Sequence, residues 1–125
     1  MEFLKHYALV GIIFVAIDAF WLTIVANKFY KKEMSGLLRD KPSMLPAVVF
    51  YFIYIAAIVF FALHGSTSFW QAAGKGALLG LAMYATYDLT NASTLKGWSK
   101  KATVVDLLWG TFVTAVTTAI AFLFI

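Results

Sequence analysis

The chain has 125 residues, of which 62% are hydrophobic and only 13% charged, with a mean hydropathy of +0.85 and a net charge of +4. A soluble domain of this length cannot hide so much apolar surface, and its exterior would carry roughly a quarter charged residues. The composition predicts a single integral membrane unit, argues against nucleic-acid binding, and, with no cysteine, excludes disulfides, thiolate metal sites and thiol chemistry.

Four segments have the length of about 20 mainly apolar residues that crosses a hydrocarbon core: 7–27, 45–63, 74–95 and 104–124. The first is too long for a secretory signal and has no A-x-A-like cleavage site after it, so it reads as a retained helix. Lys28, Lys31, Lys32, Arg39 and Lys41 follow it, and Lys96, Lys100 and Lys101 lie between the third and fourth segments, leaving Lys5 and Lys75 elsewhere. By the positive-inside rule these two loops are cytoplasmic and both termini face outward. The expected fold is all-α, a four-helix transmembrane bundle.

The stretch FYKKEMSGLLRDK after the first span carries Phe29, Tyr30, Met34, Leu37 and Leu38 at helix-like spacing, which suits a segment lying in the cytoplasmic interface; a solvated basic loop fits equally. Pro42 and Pro46 start the second span. That span has no ionisable acid or base, and its Tyr51 and Tyr54 are spaced to reach polar partners. Ser68 and Gln71 have capping-box spacing ahead of the third helix. Gly76 and Gly80 form a G-x-x-x-G suited to close helix approach, within the subunit or at a homodimer face. His6 and His64 have no partner pattern and read as structural.

Three aspartates fall within the spans: Asp18, Asp88 and Asp106. A carboxylate at the centre of a spanning helix costs about 2.5 to 3.5 kcal/mol on insertion scales, so each needs an explanation. At about 1.5 Å per residue, Asp18 lies roughly 13 Å from the cytoplasmic end of the first span, Asp88 roughly 10 Å from that of the third, and Asp106 about 3 Å into the fourth. All three fall in the cytoplasmic half. Residues at i+3 and i+4 share a helix face, which groups Asp18 with Trp21, Asp88 with Tyr84 and Asn91, and Asp106 with Trp109 and Gly110. Carboxylates, an amide and indole or phenol donors can satisfy one another in an apolar bundle. Asp106 has a second reading: with Thr103 three residues before it, it fits the first turn of a helix as a capping residue. The pattern Asp-x-x-Trp-x-Thr occurs at Asp18, Trp21, Thr23 and again at Asp106, Trp109, Thr111.

The run from Tyr84 to Asn91, the following Ala-Ser-Thr-Leu-Lys-Gly-Trp to Trp98, and the motif Val105-Asp106-Leu-Leu-Trp109-Gly110 together resemble a bacterial family of small four-span membrane proteins of unknown function. The resemblance covers nearly the whole chain. It implies four helices and a bacterial inner membrane, and it brings no activity, cofactor or catalytic residue.

Chemistry must therefore come from residue types. No Ser/His/Asp or Cys/His set, phosphate loop or zinc spacing is present. Oxygen ligands alone suit Na⁺, Mg²⁺ or Ca²⁺, and a transition metal is not expected. The expected ligand-binding residues are Asp18, Trp21, Tyr84, Asp88, Asn91, Asp106 and Trp109, centred on Asp18, Asp88 and Asn91. Three functions fit them: a bundle that binds a small polar or cationic ligand, transporting it across the bilayer; a membrane-embedded enzyme or accessory factor of lipid metabolism, using an aspartate as general acid or base; or an assembly subunit whose aspartates specify helix pairing.

Overall fold

The structure is a computed structural model describing residues 2–125. Among these residues the chain forms five helices and no strand: α1 (Glu2–Phe20), α2 (Asn27–Glu33), α3 (Met44–Ala57), α4 (Phe69–Thr94) and α5 (Lys100–Leu123). Two helices continue as π-helical turns, α1 through Trp21–Val25 and α3 through Ile58–Leu63. There the amide of Ala26 bonds the carbonyl of Trp21 at 2.7 Å, and that of His64 the carbonyl of Val59 at 2.8 Å. A π turn widens the helix and re-aims the side chains around it, and such turns are frequent at functional sites. The first begins three residues after Asp18.

Glu2–Val25, Met44–Leu63 and Lys100–Leu123 are long and apolar enough to cross a membrane. The helix α4, at 26 residues, would span about 39 Å, but its Lys75, Asp88, Asn91 and run of threonines make it less apolar than the other three. Its start is the one expected: the Ser68 hydroxyl accepts from the Gln71 amide at 3.1 Å, and Gln71 Oε1 accepts from the Thr67 amide at 2.6 Å.

The expected start of the last helix requires correction. It begins at Lys100, where the Ser99 hydroxyl caps it by accepting from the Ala102 amide at 3.0 Å. Thr103 does not cap; its hydroxyl bonds back to the Ser99 carbonyl at 2.9 Å. Asp106 therefore lies in the second turn, about 9 Å along the helix. The dipole argument for a first-turn carboxylate does not apply to it, and it lies at nearly the same depth as Asp88.

Tight turns join the later helices, and Gly65 and Gly97 take φ of +80° and +75° there, a region that side-chain-bearing residues avoid. In the assembled bundle α5 packs against α4 and α1, α1 against α3, and the π segment of α3 closes on α1, α4 and α5. The centre holds Val10, Phe14, Tyr54, Ile58, Leu63 and Val113. Outward faces carry bare apolar side chains such as Ile12 and Leu78, 71% and 69% exposed, whereas the inner face of α4 is Ala72, Gly76, Gly80 and Asp88. On α4, small and polar residues thus face inward and large apolar ones outward, as in helices packed closely within lipid.

The α4–α5 seam sets the register of the site. A Cβ on Gly76 would meet Thr118 Oγ1 at 2.6 Å, one on Gly80 would meet the Gly110 carbonyl oxygen at 2.2 Å and Thr114 Oγ1 at 2.8 Å, and one on Gly110 would strike the Tyr84 ring at 2.2 Å. Each four-residue step forward on α4 is matched by a four-residue step back on α5. The G-x-x-x-G thus faces α5 of its own chain. One further step brings Asp88 opposite Asp106.

Candidate functional site

Two polar clusters lie side by side near the end of the bundle where α1, α4 and the start of α5 meet. The first surrounds Asp18, only 6% exposed. Its Oδ1 accepts from the Trp109 indole N–H at 3.0 Å, and its Oδ2 accepts from the Tyr51 hydroxyl. The Trp109 ring stacks on Trp21 with centroids 4.3 Å apart and planes 6° from parallel. One helical turn deeper, Tyr54 and Thr114 share a 2.7 Å hydrogen bond. Both tyrosines of α3 thus find polar partners, as their spacing suggests. Both oxygens of Asp18 have donors and the flanking rings are packed, so this cluster ties α1, α3 and α5 together.

The second cluster is different in kind. Asp88 is 1% exposed, and its Oδ2 has no hydrogen-bond partner. The α4–α5 register places Asp88 opposite Asp106, and the two carboxyls line the same cavity. Asp106 accepts from the Tyr30 hydroxyl at 2.9 Å. Tyr30 comes from α2, which is held over this end of the bundle by the Ser99 hydroxyl donating to Glu33 Oε1 at 2.7 Å and by Lys101 lying 6.0 Å from the Phe29 ring centroid. Burial, and after it the neighbouring Asp106, raises the pKa of the Tyr30 phenol above the ordinary tyrosine value, so Tyr30 remains a donor to that carboxylate.

Asp88 and Asp106 open on a cavity of about 330 Å³ lined also by Tyr30, Tyr87, Trp98, Met34 and three leucines. This is within the range of small-ligand sites. Tyr87 and Trp98 meet edge to face, centroids 5.6 Å apart, and the Trp98 indole N–H is buried without an acceptor. The lining contains two carboxyls and no basic side chain. A buried oxygen with no donor costs about 1 to 3 kcal/mol, more if charged. A cation placed here would satisfy both aspartates and lie against aromatic faces. Among the described residues no group of three or more His, Asp or Glu side chains comes together to hold a metal ion.

Of the residues singled out from sequence, Asp88 and Asp106 share this cavity, whereas Asp18, Trp21 and Trp109 form the adjoining cluster. Tyr84 lies against Gly110 in the α4–α5 seam. Asn91 is half-buried one turn beyond Asp88 and lines neither cluster. Thr86 and Thr94 bond carbonyls of their own helix. Sequence spacing does not place Tyr30 or Trp98 in a site, yet both line the cavity. Tyr30 lies outside the spans, and its helical spacing with Met34 is the only local signal. Trp98 follows the glycine turn that returns the chain to α5.

A family model described as "Predicted membrane protein (DUF2177)" matches residues 3–123. The chain belongs to this family. It is a membrane protein with transmembrane helices, as the sequence resemblance implied. No curated protein and no solved structure matches it.

Proposed function

We propose that this family member is a four-span protein of the bacterial inner membrane, both termini outward, whose cytoplasm-facing cavity binds a small cation on Asp88 and Asp106. Binding would be the first step of either carriage across the bilayer or chemistry on a cationic substrate. The observation that carries this reading is the Asp88 oxygen, buried and without a donor, beside a second carboxyl in a cavity that has no basic side chain. A protein gains nothing from that arrangement unless a positive charge or a proton occupies it. The four-span topology is supported by the length of α4 and by the basic residues of α2, the loop after it and the α4–α5 turn, which gather at the cavity end.

The test is ligand-dependent stability of the purified protein in detergent at constant ionic strength, against sodium, potassium, ammonium, methylammonium and ethanolamine salts. At least one cation is expected to raise the unfolding midpoint of the wild type, and Asp88→Asn to remove that rise. No response to any of them would refute the reading. Flux of the responding cation into proteoliposomes then separates a carrier from a binding protein.

A further inference from the structure

The acidic cavity does not end at its own lining. It adjoins a second, outer cavity of about 600 Å³, and the two share Leu22, Tyr30, Leu37 and Leu38. The outer cavity has the opposite character: Lys31 and Arg39 line it, with Asp40 as its one acid. Across these four shared residues a cation-seeking inner cavity thus meets an outer one with two basic side chains, and we take the two as the halves of one recess. The division follows from the fold. The inner acids come from the α4–α5 seam, while the bases come from α2 and the loop after it, which roof the recess.

We infer that the recess takes a dipolar ligand with an ammonium group at one end and a phosphate at the other, the phosphoethanolamine unit. The ammonium would enter the inner cavity beside Asp88 and Asp106, which line it together with the Tyr87 and Trp98 rings. The phosphate would stay in the outer cavity, where a guanidinium presents a fork of donors and a lysine a point charge to its oxygens. The apolar residues common to both cavities, Leu22, Leu37 and Leu38, would border the short carbon link. Leu22 is 44% exposed on the outer face of α1, so the same recess is open to a headgroup still attached to its lipid. This inference rests on the cation-binding reading of Asp88 and adds the anionic half.

The experiment titrates the full-length protein in detergent with phosphoethanolamine, ethanolamine, β-alanine and inorganic phosphate, following the fluorescence of its tryptophans. The wild type is expected to bind phosphoethanolamine about tenfold or more tighter than ethanolamine, because the phosphate adds charge-assisted hydrogen bonds. The double variant Lys31→Gln, Arg39→Gln, altered in exposed positions, should lose that advantage and keep its ethanolamine affinity. Asp88→Asn should lose both amines, its fold verified by circular dichroism. Equal affinity for the two amines, or an equal gain with β-alanine, overturns the phosphate assignment while leaving the cation site standing. Failure of every amine and every simple cation refutes the cation site itself. Repeating the titration in nanodiscs identifies the source: competition by phosphatidylethanolamine but not by phosphatidylglycerol assigns the lipid headgroup, and undiminished binding assigns the free compound.

Discussion

Replacing Asp18 and Asp88 in turn by leucine, a side chain of similar shape with no polar atom, should move stability in opposite directions. In Asp18→Leu the Tyr51 hydroxyl and the Trp109 indole N–H lose their acceptor together. Orphaning a buried donor costs about 1 to 3 kcal/mol, and hydrogen bonds between membrane helices average about 0.6 and reach about 1.7 kcal/mol. Two such bonds set the expected loss at about 1 to 3 kcal/mol. In Asp88→Leu the oxygen removed has no donor, its neighbour Asp106 keeps the bond from Tyr30, and the added volume falls beside a cavity. Relief of that unpartnered group should return about 1 to 3 kcal/mol. The gain in apolarity is common to both variants, so their difference, about 2 to 6 kcal/mol, isolates the polar environments. Reversible unfolding in mixed micelles, followed by tryptophan fluorescence, measures it. Equal shifts, or Asp88→Leu being the less stable of the two, would refute the division into one satisfied and one unsatisfied carboxyl.

Gly80→Leu should unfold or greatly loosen the bundle, since even a Cβ at this position meets the Gly110 carbonyl oxygen at 2.2 Å, and overpacking of this kind costs about 1 to 3 kcal/mol or more; a wild-type melting profile for this variant in detergent would show that the α4–α5 seam is misplaced. Ser99→Ala removes both the cap of α5 and the tie to Glu33, so about 1 kcal/mol of stability should be lost together with hydrogen-exchange protection across Asn27–Glu33; unchanged exchange there would mean that α2 is held by other contacts. Tyr30 ionises above the ordinary tyrosine value of 10.0 because of burial and then Asp106. A raised folded pKa contributes stability that is fully present below the unfolded value and is lost as pH rises through the folded one. Tyr30→Phe should therefore flatten the decline in stability above about pH 10, and an unaltered alkaline limb in a pH series of melts would contradict the buried Tyr30–Asp106 contact.

Much of the site was within reach of helical spacing, but its pairing was not. Spacing alone groups Asp88 with Tyr84 and Asp106 with Gly110, and it marks Gly76 and Gly80 as a notch. Taken together these residues form two four-residue ladders, and the ladders meet with Asp88 opposite Asp106. What hid the pairing was the start of α5. Thr103 imitates a cap, whereas Ser99 is the residue whose hydroxyl accepts the free amide, and four residues of error place Asp106 one turn too shallow. Asp18 has the opposite history. Its depth alone marks it for a ligand, yet in the bundle Tyr51 and Trp109 fill both of its oxygens. No local pattern carries that information, because the donors come from residues 33 and 91 positions away.

Membrane character, helical class, the approximate extent of the long helices and the presence of costly carboxyls within them are all legible in the residues alone, because hydropathy, length and the cost of burying charge are local or additive properties. Which carboxyl is satisfied and which is left open was decided only by tertiary structure. That outcome depends on which helices approach, at what register and with which donors facing inward, and these follow from glycine contacts, a π turn after Asp18 and the folding of α2 over the end of the bundle. The same chain segment that reads as a basic loop thereby supplies Tyr30 to one cavity and Lys31 and Arg39 to the next.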